Sequence, residues 1–397
     1  MKILYDYQMF NTQNIGGITR YFYELITHFD KDDSITWEIP IKYSSNLYLN
    51  KHPFFNKVLL PIPFQLNDNK GLIAKANFIG EKLLYKLKGK LYKDQIFGIE
   101  YKKNKELNIK IIKEGNFDIF HPTYFDNYFM DYIGDKPFVL TVHDLIYQVF
   151  PEIHLHHPLD KNKKMIDRAD RIITVSESTK KDLINIYNVD ERKIDVVYLA
   201  NSLEDSSSNI SEQFKKKIPE RYLLYVGGRW DYKNFLFFAQ MFSSLLISEP
   251  DLKIVCTGSP FNSSEKYLFN KLGIQDSVYN TFVSDEELTY LYKNAIAFIF
   301  PSLYEGFGLP VLESFSCGCP AVISNSSSLS EIGEDAAIYF EPKNPGSMLH
   351  ALESVVKNAA LREEKIVKGF EKLKKYSWEK TAMQTKQVYE KTLSIKV

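Results

Sequence analysis

Short apolar runs rich in β-branched residues recur along the chain and alternate with longer stretches whose apolar positions fall three and four apart. The runs predict strands at 2–7 (KILYDY), 117–122 (FDIFHP), 138–144 (FVLTVHD), 171–176 (RIITVS) and 194–199 (IDVVYL). A second series follows at 222–228 (YLLYVGG), 253–259 (KIVCTGS), 277–282 (SVYNTF), 295–301 (AIAFIFP) and 320–325 (PAVISN). The patterns between them, such as 177–187 and 285–295, predict amphipathic helices. Strands apolar on both faces, each followed by a helix, build parallel sheets with helices on either side. Two such series predict two doubly wound α/β domains. Residues 201–220 (NSLEDSSSNISEQFKKKIPE) are rich in Ser and charge, lack an apolar period, and read as the linker or hinge between them.

The bulk numbers narrow the partners. A chain of 397 residues exceeds one ordinary core. Formal net charge is zero, which leaves no global excess of cations to neutralise a phosphate backbone, so no nucleic-acid partner is predicted. Cys256, Cys317 and Cys319 are odd in number and lie in core-like runs; they predict free thiols in a reducing compartment. The opening residues lack the apolar run of a signal peptide, and no apolar stretch is long enough to span a membrane, so the expected location is cytoplasmic. Residues 70–113 stand apart, with about three times as many lysines as acidic residues. Leu83, Leu84, Leu87 and Leu91 lie there at helical spacing among Lys82, Lys86, Lys88, Lys90 and Lys93. One reading is a solvated helix face packed on the first domain. The other, joined by FFNKVLLPIPF (54–64), is a basic amphipathic surface over 54–113 in peripheral contact with anionic lipid.

Four stretches carry candidate chemistry. In SLYEGFGLPVLESFSCG (302–318) a strand ends, and Gly306 and Gly308 allow a tight turn and close approach to a ligand. Pro310 fits the first turn of a helix that stops near Gly318 and Pro320. The start of that helix favours an anion, phosphate above all. Glu313, one turn past Leu309, suits the two hydroxyls of a ribose, and Glu305 suits hydroxyls on whatever the phosphate carries. One acid on each side of a phosphate cradle suggests a nucleotide-sugar; a capped junction with two solvated acids is the alternative. In YVGGRWDYKNF (225–235), Arg229 and Lys233 follow Gly227 and Gly228 at a strand's carboxyl end, where α/β sheets bind ligands. They suit a diphosphate, or are a plain surface pair. Gly16 and Gly17 in NIGGITRYFYEL (14–25) precede a helix, and His143 and Asp144 in TVHDLIY (141–147) close a strand. Ser176 and Ser178 sit at a strand–helix junction, where capping accounts for them. Asp30 and Asp32 form D-x-D after a helix rather than a strand, so no metal site is predicted.

In sequence order, GGITRY, VHDLIY, ADRIITVSESTKKDL, YVGGRWDYKN, VSDEELTYLYKNA and EGFGLPVLE resemble the retaining glycosyltransferases of family 4 over nearly the whole chain. The strongest piece is E-x7-E, Glu305 to Glu313. The pattern looks most like bacterial mannosyltransferases of surface polysaccharide (O-antigen) synthesis. The resemblance implies a GT-B fold, two Rossmann-like doubly wound parallel-sheet domains facing across a cleft. Residues 1–200 would form the acceptor side and 201–377 the donor-binding domain, with a C-terminal helix, 378–397, packing back on the first. It places Gly228, Arg229 and Lys233 at the donor diphosphate and Glu313 at the ribose. Glu305 and the backbone of Gly306, Phe307, Gly308 and Leu309 would hold the donor sugar and distal phosphate. His143 would lie near the reacting carbon, and Gly16 and Gly17 in a loop that closes over donor and acceptor. Catalysis would rest on His143, Glu305, Arg229 and Lys233, with no metal or cofactor. The implied reaction moves a hexosyl group from a nucleotide diphosphate sugar, GDP-mannose first, to a glycan or lipid-linked glycan with retained configuration. An epimerase, turning over the donor without an acceptor, and a non-catalytic sugar-nucleotide scaffold are the competing readings.

Overall fold

The strands form where the apolar runs predict them, trimmed by one to three residues at their ends. A computed structural model describes residues 1–52, 98–153, 159–203 and 210–395. Contacts divide the chain into two compact units. One comprises Met1–Thr141, Pro158–Ile172 and Thr385–Val397; the other comprises Val142–His157 and Ile173–Gln384.

In the first unit, β1 (Lys2–Tyr5) lies between β2 (Thr36–Glu38) and β3 (Ile119–His121), all parallel. β2 was not predicted: TWE is a short polar edge strand, exposed at Thr36, and has no apolar run to read. Helix Gly17–Phe29 buries Tyr21, Phe22, Leu25 and Ile26. A fully buried polar network ties this unit together. Tyr389 Oη is 2.9 Å from Tyr5 Oη and 2.7 Å from His121 Nδ1, while His121 Nε2 is 2.8 Å from Thr141 Oγ1. β4 (Val139–Val142), β5 (Arg171–Thr174) and β6 (Ile194–Val196) form a further sheet in the order β4-β5-β6, whose residues are divided between the units: β6 and the carboxyl ends of β4 and β5 fall in the second. A single parallel bridge links Phe120 to Phe138.

The second unit is built on a six-stranded parallel sheet. Its strands are β7 (Tyr222–Tyr225), β8 (Lys253–Thr257), β9 (Val278–Thr281), β10 (Ala297–Phe300), β11 (Ala321–Ser324) and β12 (Ile338–Phe340). They run in the order β12-β11-β10-β7-β8-β9. Leu223, Tyr225, Ile254, Cys256, Ile299 and Val322 pack on one face against Phe235, Phe238 and Phe242 of helix Phe235–Leu245 and against Leu352 and Val355 of helix Pro345–Lys357. The alternate residues Leu224, Val255, Phe298 and Ile323 are just as buried, so both faces of the sheet are covered. Each such side chain contributes about 1.5–3 kcal/mol of burial. β12, an edge strand half open to solvent, also escaped prediction.

Other expectations meet the structure unevenly. Within 201–220, read as linker, a one-turn helix Glu212–Lys215 is capped by Ser211 Oγ on Phe214 N and buries Phe214. Residues 98–114 are helical; the lysine-rich stretch before them, with Leu83 to Lys93 and 54–64, lies outside the described residues. The C-terminal helix Trp378–Ser394 begins in the second unit, where Trp378 Nε1 donates to Ser202 Oγ at 2.7 Å, and ends in the first, where Lys386 pairs with Asp32 at 2.6 Å. The three cysteines are buried thiols outside any disulfide. Among the described residues, no helix is long and apolar enough to cross a membrane.

Candidate functional site

In the second unit the chain leaves β7 for β8 and β9 on one side and returns on the other side as β10. The carboxyl ends of β7 and β10 therefore flank the topological switch point, where helices diverge to opposite faces and leave a crevice. Both acid–base motifs of the sequence sit on these two loops. After β7, Lys233 ends a short turn, Asp231–Lys233. After β10, Glu305 precedes helix Leu309–Ser316. Their side chains meet: Lys233 Nζ lies 2.6 Å from Glu305 Oε1, and they are 16% and 11% exposed. The loops are also stitched by backbone, with Leu303 N donating to Tyr232 O at 2.7 Å. The Lys233 ammonium sits 5.2 Å from the ring centres of Tyr232 and Phe300.

The Glu305 loop is held from several directions. Ser327 Oγ accepts from Glu305 N at 2.8 Å, and Ser328 Oγ bonds the carbonyls of Glu305 and Phe307 at 2.9 and 2.7 Å. Ser176 caps helix Glu177–Tyr187 by accepting from Thr179 N at 3.0 Å, and its hydroxyl also donates to Gly306 O at 2.7 Å. Gly306 lies against the backbone at the end of β4: a Cβ there would overlap the His143 carbonyl and come within 2.8 Å of Asp144 Cβ. Only glycine permits that approach. Gly308, the N-cap, has φ 113°, and Pro310 occupies the first turn of the helix. The packing sets the His143 backbone against Gly306 and brings Asp144 within reach of the charges of Glu305 and Lys233. Burial pushes the His143 imidazole down to about 4, so it is neutral at pH 7. Burial raises the Asp144 carboxyl; the Glu305 charge adds to this and Lys233 opposes it.

The remaining candidates lie in different settings. Glu313 is buried one turn into the helix, where Tyr292 Oη donates to its Oε2 at 3.2 Å. Arg229 is 6% exposed and is held by the second unit itself. Its Nε donates to Glu265 Oε1 at 2.6 Å and its Nη2 to the carbonyls of Ser259 and Pro260 at 2.6 and 3.2 Å. The Phe307 ring packs on Tyr198 and Tyr376. Gly16 caps helix Gly17–Phe29 in the first unit. Asp30 receives Trp37 Nε1 and His52 Nε2, both at 2.8 Å, and Asp32 takes Lys386, so the D-x-D acids serve local structure. Sequence reasoning passed over Glu265, Ser327 and Ser328. Only Glu265 had a local signal, the capping box Asn262–Glu265 just past β8. The two serines act on a loop 21 to 23 residues away in sequence, which no local pattern announces.

Two parallel-sheet units of this kind, with the second carrying ligand-competent groups at its switch point, define the GT-B class of glycosyltransferase folds. A solved glycosyltransferase from Rickettsia africae ESF-5 superposes with a TM-score of 0.70 at 16% identity, covering 99% of this chain and 98% of that one. The family model "Glycosyltransferase Family 4" matches residues 97–204, and "Glycosyl transferases group 1" matches 206–372. The chain is 32% identical over 269 residues to O-antigen chain mannosyltransferase B of Escherichia coli, spanning 63% of this chain and 69% of that protein. It is 30% identical over 221 residues to O-antigen chain mannosyltransferase RfbU of Salmonella typhimurium, spanning 54% of this chain and 60% of the other. The chain belongs to glycosyltransferase family 4 and is a transferase.

Proposed function

We propose that this transferase moves a mannosyl group from GDP-mannose to a growing glycan or lipid-linked glycan in bacterial surface polysaccharide synthesis, with retention of anomeric configuration and without a metal. The observation that carries the reading is the Lys233–Glu305 pair at the switch point, ahead of a helix N-terminus and beside His143 and Asp144. The mannosyl donor and the O-antigen setting are supported by the two enterobacterial relatives.

In this reading Lys233, Arg229 and the amino end of helix Leu309–Ser316 receive the diphosphate. Glu313 takes the ribose, and Glu305 with the Gly306–Leu309 backbone takes the hexose. The acceptor oxygen bonds to the anomeric carbon on the face from which phosphate departs, and the departing phosphate oxygen receives the acceptor's proton. Neutral His143 donates or accepts a hydrogen bond near that carbon without adding charge. Residues 1–200 serve the acceptor, 201–377 the donor, and 378–397 returns to the first domain. The protein works in the cytoplasm, peripherally at the inner membrane face through 54–113.

The test supplies GDP-, UDP- and dTDP-hexoses with lipid-linked glycan acceptors and reads product anomers by NMR. The expected product is an α-mannoside made from GDP-mannose and lost in Glu305→Gln. Transfer only from another donor, an inverted product, or donor turnover without acceptor would each overturn it.

A further inference from the structure

Arg229 is bound to the protein so completely that its geometry is set before any ligand arrives. Nε is committed to Glu265, Nη2 is committed to two carbonyls, and the guanidinium carbon lies 4.8 and 5.7 Å from the ring centres of Phe261 and Phe235. Among the described residues, Nη1 is the one nitrogen of the fork with no protein hydrogen bond. Glu265 is fixed in turn. Its Oε2 accepts from Asn262 N at 2.6 Å, its own N–H donates to Asn262 Oδ1 at 2.9 Å, and its side chain is 4% exposed. A flexible arginine loses rotamer freedom when it grips an anion; one clamped on three sides does not.

We infer that Glu265 is a positioning residue for donor binding: it holds the Arg229 fork so that Nη1 alone faces the diphosphate. The inference rests on the donor reading above. Glu265 acts through Arg229 and touches no substrate atom. A carboxylate that acted on the arginine through its charge alone would instead weaken the pull on phosphate. The two roles predict opposite signs.

The experiment measures nucleoside diphosphate affinity by calorimetry in the full chain, using whichever of GDP, UDP and dTDP binds the wild type most tightly. Failure of all three to bind the wild type would count against the donor reading itself. Glu265→Gln is expected to weaken binding about tenfold, the worth of one charge-assisted hydrogen bond. The donor KM should rise with kcat changed less than about twofold. Glu265→Asp keeps the charge but is a methylene short of Nε; it should weaken binding in the same direction, and it decides the matter if the glutamine variant does not fold. In an Arg229→Lys background, Glu265→Gln should add no further loss, because the residue it positions is gone. Unchanged affinity in Glu265→Gln, tighter binding, or an equal loss in both backgrounds would each sink the inference.

Discussion

Glu305 and Lys233 neutralise each other across the switch point, so a diphosphate that takes the lysine competes with a carboxylate 2.6 Å away. His143 beside them faces a different constraint, because the protein around it disfavours its charged form. Its folded value of about 4 lies below the ordinary 6.5, so between those limits the unfolded chain binds a proton that the folded chain does not. Stability carried by neutral His143 is therefore present above pH 6.5 and lost as pH falls toward 4. Asp6 works in the opposite sense: burial raises its carboxyl to about 6, so the folded chain takes up that proton first and gains from acidification. The raw pH profile mixes both, and the difference between wild type and His143→Gln isolates the histidine. Between pH 7 and 4 the wild type should lose roughly 2–3 kcal/mol relative to the variant in urea unfolding. A flat difference would mean that His143 titrates as it does in water.

Helix Leu309–Ser316 depends on how it begins. Its N-cap, Gly308, has φ 113°, and a Cβ there would stand 2.9 Å from Leu329 Cδ2. Gly308→Ala should cost on the order of 2 kcal/mol and lower transferase activity by tilting the first turn; chemical denaturation with unchanged stability would contradict this. Elements of this kind were legible where local chemistry decides them. Apolar runs gave ten of the twelve strands among the described residues; β4, β7, β10 and β11 are buried along their whole length, and a strand buried on both faces has no polar period to confuse it. Ser176 marked the start of helix Glu177–Tyr187. β2 and β12 were missed because each is a three-residue edge strand with half-exposed positions, too short to show a pattern of its own and fixed by its neighbour; the edge strands β6 and β9 were found because longer runs, 194–199 and 277–282, surround them. The site divides in the same way. Glycines, proline and acids of 305–313 were readable as a turn into a helix, and Arg229 and Lys233 as cations at a strand end. That Arg229 pairs with Glu265 while Lys233 pairs with Glu305 follows from which loops the sheet order makes adjacent, and composition does not encode that order.

At the scale of the whole chain, charge is balanced, with 50 basic and 50 acidic residues, so attraction for an anionic donor has to be local. The groups proposed for it, His143, Arg229, Lys233, Glu305 and Glu313, all fall within the second unit, although His143 lies in the first series of strands along the sequence. A nucleoside diphosphate should therefore leave its first mark on that unit's strand-end loops. At a ligand concentration 100 times Kd, binding stabilises the competent state by about 2.7 kcal/mol. Hydrogen exchange read by mass spectrometry should then slow at amides of 227–234 and 305–309, by up to about a hundredfold where exchange requires release of the ligand. The β1 and β3 amides, in the core of the other unit, gain protection only if the two units open together. Calorimetric binding without added protection at 305–309 would move the donor away from the switch point, and with it the roles given to Glu305 and Lys233.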